Sequence, residues 1–242
     1  MTTAAGRRDT GPARPPELDG VYRSVEAYYT GKLIKHGASP LGVDWSCQAT
    51  QWLRFVQLLK LCSFDAAFSL NDLGCGYGEL AAFLRWRYPQ TNVDYLGIDL
   101  SPAMVRCARR RHRREPATRF VVGRACPRQA DYTVASGIMN VMRGYPVPLW
   151  EGFLRATLVD MHRASRRGFA VNFCAPQRPD LPPNQLYCCE PEPWVRYCVD
   201  ELGCAVEVVD GYGLLEFTLL ARREWRFGPD ADPPGEATQA GR

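Results

Sequence analysis

No CxxC pair and no hydrophobic run approaching 18 residues occurs in this sequence of 242 residues. The first absence argues against a zinc site of regular spacing, and no metal site is predicted. The second excludes a transmembrane helix. Residues 1 to 16 lack the apolar stretch of a signal peptide, so we expect neither a leader nor an anchor there. We therefore expect a cytoplasmic protein whose ten cysteines are free thiols.

The sequence also lacks a large excess of charge of either sign. The 30 basic and 26 acidic residues give a net charge of +4 at pH 7, which is too weak to indicate a nucleic-acid partner. Hydrophobic residues make up 46% and charged residues 23%, as in ordinary globular proteins. A chain of this length and composition can bury a substantial core without disulfide bonds.

Helical and strand patterns alternate along the chain. The predicted helices cover residues 17 to 35, about 47 to 61 with Ser46 as the N-cap, 79 to 88, 102 to 111, 150 to 165 and 191 to 202. The predicted strands cover residues 68 to 73, 93 to 100, 119 to 122, 131 to 136, 169 to 173, 206 to 210 and 214 to 220. Such alternation favours an α/β fold with a mostly parallel sheet and helices on both faces, in which the closing strand pair adds one antiparallel strand.

A glycine cluster follows the first strand and opens a helix. Asp72 precedes Gly74, Gly76 and Gly78 in the pattern D-x-G-x-G-x-G, with Cys75 between the first two glycines. Glycines at this point let the backbone turn sharply and approach a ligand closely. Dinucleotide enzymes favour G-x-G-x-x-G instead, so both the spacing and the upstream acid argue against a nicotinamide oxidoreductase.

The second strand ends at an acid. Asp99 can accept hydrogen bonds from both hydroxyls of a ribose, although dinucleotide enzymes also use an acid here. Leu100 and Met104 follow it, and Ser101 with Pro102 suits a helix start.

These motifs resemble those of class I, Rossmann-like S-adenosylmethionine (SAM) methyltransferases, and the resemblance covers about residues 20 to 222. Together with residues 28 to 55 they resemble a little-described bacterial group that acts on small molecules. The resemblance implies a seven-stranded Rossmann-like sheet, SAM as cofactor, and Met104 under the adenine, although a buried helix methionine without a ligand would account for Met104 equally well. The resemblance also implies an N-terminal helical lid (17–63) and a SAM-binding domain (64–227). The polar composition of residues 1–16 and 228–242, without apolar periodicity, predicts a disordered tail at each end. Many members of the family carry an acid where this sequence has Arg124.

Polar and aromatic residues of the lid complete the predicted cofactor site. Arg54 is a candidate for the SAM carboxylate, because a guanidinium binds carboxylates in a fork. Tyr29 and Trp45 are candidates for facing the sulfonium, because cations are attracted to aromatic rings. His36 is a candidate general base. A surface ion pair would account for Arg54, and packing of the lid for Tyr29 and Trp45, equally well, and a structural role is the commoner one for a histidine such as His36.

The ends of the later strands supply the remaining candidates. Ser136 and Gly137 end the fourth strand and are predicted to contact the cofactor, and Asn140 follows them as a candidate to orient the acceptor or the SAM amino group. Tyr187, in the proline-rich loop over residues 174 to 189, is a further catalytic candidate, and Asn184 lies in the same loop.

The leading hypothesis is therefore methyl transfer from SAM to a small molecule, with a role in natural-product biosynthesis suggested by the resemblance alone. The alternative is an enzyme that cyclises SAM to azetidine-2-carboxylic acid and releases methylthioadenosine. A non-catalytic SAM-binding partner is a third possibility. The acceptor and the oligomeric state are not predicted.

Overall fold

A computed structural model describes residues 18–176 and 185–223. Its helices are α1 (Leu18–His36), a short 3-10 helix (Pro40–Val43), α2 (Gln48–Leu59), α3 (Glu79–Arg87), α4 (Pro102–Arg111), α5 (Val147–Arg163) and α6 (Glu192–Asp200). Its strands are β1 (Phe68–Leu73), β2 (Val93–Asp99), β3 (Thr118–Val122), β4 (Ala130–Ala135), β5 (Ser165–Cys174), β6 (Cys204–Val209) and β7 (Glu216–Arg223). The two predicted tails and Asn184 lie outside the described residues.

The seven strands form one sheet in the order β3-β2-β1-β4-β5-β7-β6. All neighbouring pairs from β3 through β5 are parallel, and β7 runs antiparallel to both β5 and β6. The predicted Rossmann-like sheet with one antiparallel strand is confirmed. The strand order reverses between β1 and β4, and in open α/β sheets ligands bind at such a switch point.

Two helix N-cap residues were predicted, and one of them is wrong. Ser101 caps α4 as expected, because its Oγ accepts the Met104 backbone N–H at 3.2 Å. Ser46 does not cap α2. The N-cap is Cys47, which makes no side-chain cap hydrogen bond, while the Ser46 hydroxyl lies 3.2 Å from that of Thr50.

Hydrophobic clusters cover both faces of the sheet. One contains the buried hydrophobic residues of α1, α5 and α6, and the other contains those of α2 and α3 together with Val105 and Ala108 of α4. Leu18, Val21 and Tyr22 of α1 belong to the first cluster, and Phe55, Leu58 and Leu59 of α2 belong to the second. The N-terminal helices are therefore part of the folded core.

The structure also bears on the cysteines and on membrane insertion. The ten cysteines, all within the described residues, form no disulfide bond, and Cys75, Cys174, Cys198 and Cys204 are buried. Among residues 18–176 and 185–223, no helix combines the length and apolar character needed to cross a membrane.

Candidate cofactor and active site

A cavity lies at the switch point, between the carboxyl ends of the first four strands and the N-terminal helices. Eleven of the thirteen predicted cofactor-binding residues line it, and they come from several separate segments of the chain. They are Tyr29, Trp45, Asp72, Gly74, Cys75, Gly76, Asp99, Leu100, Met104, Ser136 and Gly137. Arg54 and Gly78 are not part of the lining. The fold thus gathers most of the predicted set around one space, and their ligand contacts stay a prediction.

The glycine loop between β1 and α3 adopts a backbone conformation that only glycine takes readily. Gly74, Gly76 and Gly78 have φ angles of +80°, +54° and +81°. A Cβ on Gly74 would lie 2.2 Å from Cγ2 of Ile138, and one on Gly78 would lie 2.9 Å from the Phe120 ring. Gly78 therefore shapes the loop by capping α3 and packing against Phe120 without lining the cavity.

Asp99 is oriented by backbone groups at the end of β2. Its Oδ2 accepts the Gly76 N–H and its Oδ1 accepts the Ser101 N–H, both at 2.8 Å. Burial raises the pKa of this carboxyl group to about 6, although the two backbone hydrogen bonds favour the charged form. Each oxygen keeps a further lone pair, so the carboxylate can accept two more hydrogen bonds from a ligand.

Asp72 lies deeper, beneath the glycine loop. It is 2% exposed, and one of its oxygens accepts the hydroxyl of Tyr95. Burial raises the pKa of Asp72 to about 7, against the lowering effect of the Tyr95 hydrogen bond, and the charge of Asp99 raises it further. The cavity therefore has one buried and one partly buried carboxyl group on its sheet side, which favour a ligand with positive charge or hydroxyl donors.

Helix α1 forms the roof of the cavity. Tyr22, Val25, Glu26 and Tyr29 line the cavity at intervals of three and four residues, which places them on one face of the helix. Burial, followed by the charges of neighbouring acids, raises the pKa of Tyr29. Of these four residues only Tyr29 was a predicted site residue, although their helical spacing is visible in the sequence.

Hydrogen bonds and an ion pair attach α1 to the sheet side of the cavity. The Thr30 and Ser101 hydroxyls are 2.6 Å apart, and the Tyr145 hydroxyl donates to the Gly20 carbonyl at 2.9 Å. At the end of β3, Arg124 forms an ion pair with Asp19 at 2.7 Å. Helix α1 is thus attached at its start, through Asp19 and Gly20, and about three turns later, through Thr30.

Arg54 has partners other than the predicted SAM carboxylate. It is 6% exposed, its Nε donates to Oε2 of Glu216 at 2.7 Å, and one terminal nitrogen lies 2.5 Å from Oε1 of the same carboxylate. Its other terminal nitrogen donates to the Thr50 carbonyl at 2.8 Å. Because these contacts occupy the guanidinium and it does not line the cavity, the structure places Arg54 in a buried ion pair.

This ion pair belongs to a series of contacts that begins and ends at Trp45. The Arg54 guanidinium lies 3.7 Å from the centre of the Trp45 ring, and Glu216 also accepts Nδ2 of Asn172 at 2.9 Å. Oδ1 of Asn172 accepts the Gly137 N–H at 2.8 Å. A Cβ on Gly137 would lie 2.3 Å from the Trp45 ring, so the two are in direct contact. This series of contacts fixes the Trp45 side chain, which forms one wall of the cavity.

The three predicted catalytic residues lie outside the cavity lining. Oδ1 of Asn140 accepts the Cys174 N–H at 2.9 Å, so Asn140 holds the end of β5. The Tyr187 hydroxyl donates to Glu151 at 3.0 Å, in a second pocket between α5 and α6. His36 ends α1, and its carbonyl accepts the Ser39 hydroxyl at 2.9 Å. The backbone brings two of them together, because the Tyr187 N–H donates to the Asn140 carbonyl at 2.7 Å, while their side chains are engaged with the Cys174 N–H and with Glu151.

Two lining residues on the side of the glycine loop carried no prediction. Gln51 of α2 is 4% exposed, and its Oε1 accepts the Tyr77 hydroxyl at 3.1 Å. Tyr77 occupies the last variable position of the glycine motif, and burial raises its pKa to about 12. Gln51 lies four residues before Phe55, which also lines the cavity, so helical spacing was the available signal.

The lining matches the chemical groups of a nucleoside with a charged side chain. Glycine backbone allows close approach, Asp99 can accept ribose hydroxyls, and Leu100 with Met104 offers apolar surface to a base. The buried Ser136 hydroxyl, which also lines the cavity, has no hydrogen-bond partner within the part of the chain that the structure describes. These features fit SAM.

Comparisons with known proteins agree with this chemistry. Residues 71–168 match the family model described as a methyltransferase domain. The chain is 40% identical over 167 residues to Rv1506c of Mycobacterium tuberculosis, which is named provisionally as a methyltransferase, and the match covers 68% of this chain and 99% of that protein.

Solved structures share the fold at low sequence identity. The complex of DhpI with S-adenosylhomocysteine (SAH) is 14% identical with a TM-score of 0.58, over 86% of this chain and 99% of that one. The magnesium protoporphyrin IX methyltransferase of Synechocystis PCC 6803 with bound SAM is 15% identical with a TM-score of 0.52, over 88% and 100% of the two chains. From the sequence match, the fold and the cavity it follows that the chain belongs to the class I methyltransferase family, which uses SAM as its cofactor.

Proposed function

We propose that this methyltransferase transfers the methyl group of SAM to a small molecule. The observation that carries the proposal is the roof over the cavity. Four residues of α1 line the cavity, and the helix is attached through Asp19, Gly20 and Thr30. A group on the surface of a macromolecule would have to reach under this helix, whereas a small acceptor can enter the cavity whole.

The cavity residues would hold SAM as follows. Asp99 would accept the ribose hydroxyls, and Leu100 and Met104 would pack against the adenine. The positive φ angles of Gly74 and Gly76 would let the backbone lie against the ligand. When bound, SAM supplies an electrophilic methyl group on a sulfonium centre.

The protein's contribution to the reaction would be alignment and exclusion of water. Tyr22, Tyr29 and Trp45 cover the cavity with aromatic surface, which keeps bulk water from the reacting groups. The described lining contains the carboxyl groups of Glu26, Asp72, Glu79 and Asp99 but no imidazole. A neutral amine needs less help from a base than a hydroxyl does, so an amine acceptor suits this lining best.

The first experiment is incubation of the purified protein with SAM alone, followed by incubation with a panel of small amines and phenols. Mass spectrometry would identify the products. We expect SAM to persist without an acceptor, and SAH to appear together with a product heavier by one methylene group when the right acceptor is present. Azetidine-2-carboxylic acid formed together with methylthioadenosine, without an acceptor, would overturn the proposal in favour of SAM cyclisation. The role in natural-product biosynthesis stays a prediction.

A further inference from the structure

Among the described residues that line the cavity, none is an obvious partner for the carboxylate of SAM. The lining includes four acids, Glu26, Asp72, Glu79 and Asp99, and these suit the sulfonium, the ammonium group and the ribose. SAM also has a carboxylate, which needs a hydrogen-bond donor when it is buried. The predicted donor, Arg54, is held by Glu216 and lies outside the lining.

Arg124 is the one cation among the described lining residues, and its position does not suit the carboxylate. It follows β3, at the edge of the sheet, and forms an ion pair with Asp19. Leu100 and Met104, the apolar surface for adenine, lie on this same side of the cavity, after β2. SAM extends in two directions from its ribose, so with the adenine toward β3 the amino-acid end points toward β1 and β4.

Gln51 lies on that second side. It contacts Tyr77 of the loop after β1. The Tyr77 hydroxyl donates to Oε1 of Gln51, so the oxygen of the amide is engaged and its NH2 group, which carries two donors, remains. Within residues 18–176 and 185–223, the Gln51 side chain forms no hydrogen bond other than this one. The amide is thus oriented, with its donors uncommitted, in the lining of the cavity.

A neutral donor also fits the charges nearby. Glu79 lines the same part of the cavity, and its carboxylate already binds Arg111, Trp52 and Gln48. A second guanidinium at position 51 would compete for this carboxylate, whereas an amide would not. Gln51 can therefore donate to an incoming anion without first breaking an ion pair.

We propose that the Gln51 side-chain amide donates a hydrogen bond to the carboxylate of SAM, the task that the sequence suggested for Arg54. The proposal rests on the cavity being the SAM site. Gln51 is in this sense a binding residue, and Tyr77 is the residue that positions it.

The test compares SAM with decarboxylated SAM, which keeps the ammonium group and lacks only the carboxylate. Isothermal titration calorimetry would measure the Kd of both ligands for the wild type and for Gln51→Leu. We expect Gln51→Leu to weaken SAM binding about tenfold or more, since a hydrogen bond to a charged group is lost. Binding of decarboxylated SAM should change less than about twofold, because its contacts remain.

Gln57→Leu is the matched control. Gln57 is also on α2 and is 5% exposed, but it does not line the cavity, so this variant should bind both ligands like the wild type. Gln51→Glu keeps the shape of the side chain and adds a negative charge, so it should weaken SAM binding more than Gln51→Leu does. Normal binding of decarboxylated SAM shows that each variant is folded.

Two results would overturn the proposal, and they differ in what else they overturn. Equal weakening of both ligands in Gln51→Leu, or unchanged SAM binding, would remove the Gln51–carboxylate contact and leave the cavity as the SAM site. If Asp99→Ala left SAM binding unchanged in the otherwise wild-type chain, the cavity itself would be wrongly assigned, and the proposed function would fail with it.

Discussion

Substitution of Glu216 by Gln tests the buried ion pair under Trp45. The change keeps the size and shape of the side chain and removes one charge. Arg54 is 6% exposed and Glu216 is also 6% exposed, so the remaining guanidinium would keep its charge with little access to water. The new amide would also turn an NH2 group toward one of its present donors, the Arg54 guanidinium or Asn172.

The expected cost follows from this burial. Removing one partner of a buried ion pair destabilises a protein by about 3 to 5 kcal/mol, because the other charge is left uncompensated. For a folded unit of about 200 residues each kcal/mol lowers the Tm by roughly 2 to 4 °C, so we expect a fall of roughly 6 to 20 °C. The exposed pair of Arg85 and Glu115 gives the contrast, since Arg85→Met should cost less than about 1 kcal/mol.

Differential scanning calorimetry and urea unfolding would measure the loss. A double variant, Arg54→Met with Glu216→Gln, separates charge from shape, because it removes the stranded cation and leaves the amide at position 216 able to accept from Asn172. We expect the double variant to be more stable than Glu216→Gln alone. If it were equally unstable, or if Glu216→Gln lowered the Tm no more than Arg85→Met, the uncompensated charge would not be the cause.

Two further predictions concern the sheet side of the cavity. Gly74→Ala should abolish SAM binding and lower the free energy of unfolding in urea by at least about 1 kcal/mol more than Gly144→Ala does. Both glycines have φ near +80°, but only a Cβ at position 74 would clash with Ile138, at 2.2 Å. Equal losses of stability in the two variants would contradict this. Asp72→Asn should gain stability relative to the wild type as the pH rises from about 4 to about 7. Burial raises the pKa of Asp72 to about 7, so the folded protein binds this proton more tightly than the unfolded chain does. The wild type therefore loses stability as the pH rises through this range, whereas the asparagine does not titrate. Urea unfolding across that range, without SAM, would measure the difference, and a difference independent of pH would refute it.

The sheet and the glycine loop could be predicted because their signals are local. Parallel strands covered on both faces show as short apolar runs, and the predicted β1 agrees with the observed strand at both ends. The three glycines of the loop all need a positive φ, which is a property of the single residue. Ser101 and Pro102 likewise identify a helix start from two adjacent positions.

The partners of Arg54, Asn140 and Tyr187 could not be predicted, because they depend on contacts between distant segments. Arg54 and Glu216 are 162 residues apart, and Asn140 and Cys174 are 34 apart. A buried guanidinium and a cofactor-binding guanidinium look the same in the sequence. The failed Ser46 cap has another cause, since Ser46, Cys47 and Thr50 are all close enough to compete for the start of α2.

The same distances explain how the wall of the cavity depends on residues outside it. Trp45 lies between two supports, the guanidinium of Arg54 on one ring face and the Gly137 turn at its edge. Both supports lead to Glu216, directly from Arg54 and through Asn172 from Gly137. Because one carboxylate at the start of the last strand holds both, a change there should move Trp45 without touching any lining residue. Gln51 lies one turn from Arg54 on α2. We therefore expect its contact with SAM to weaken when Trp45 moves, even though the contacts of Gln51 within the protein are intact.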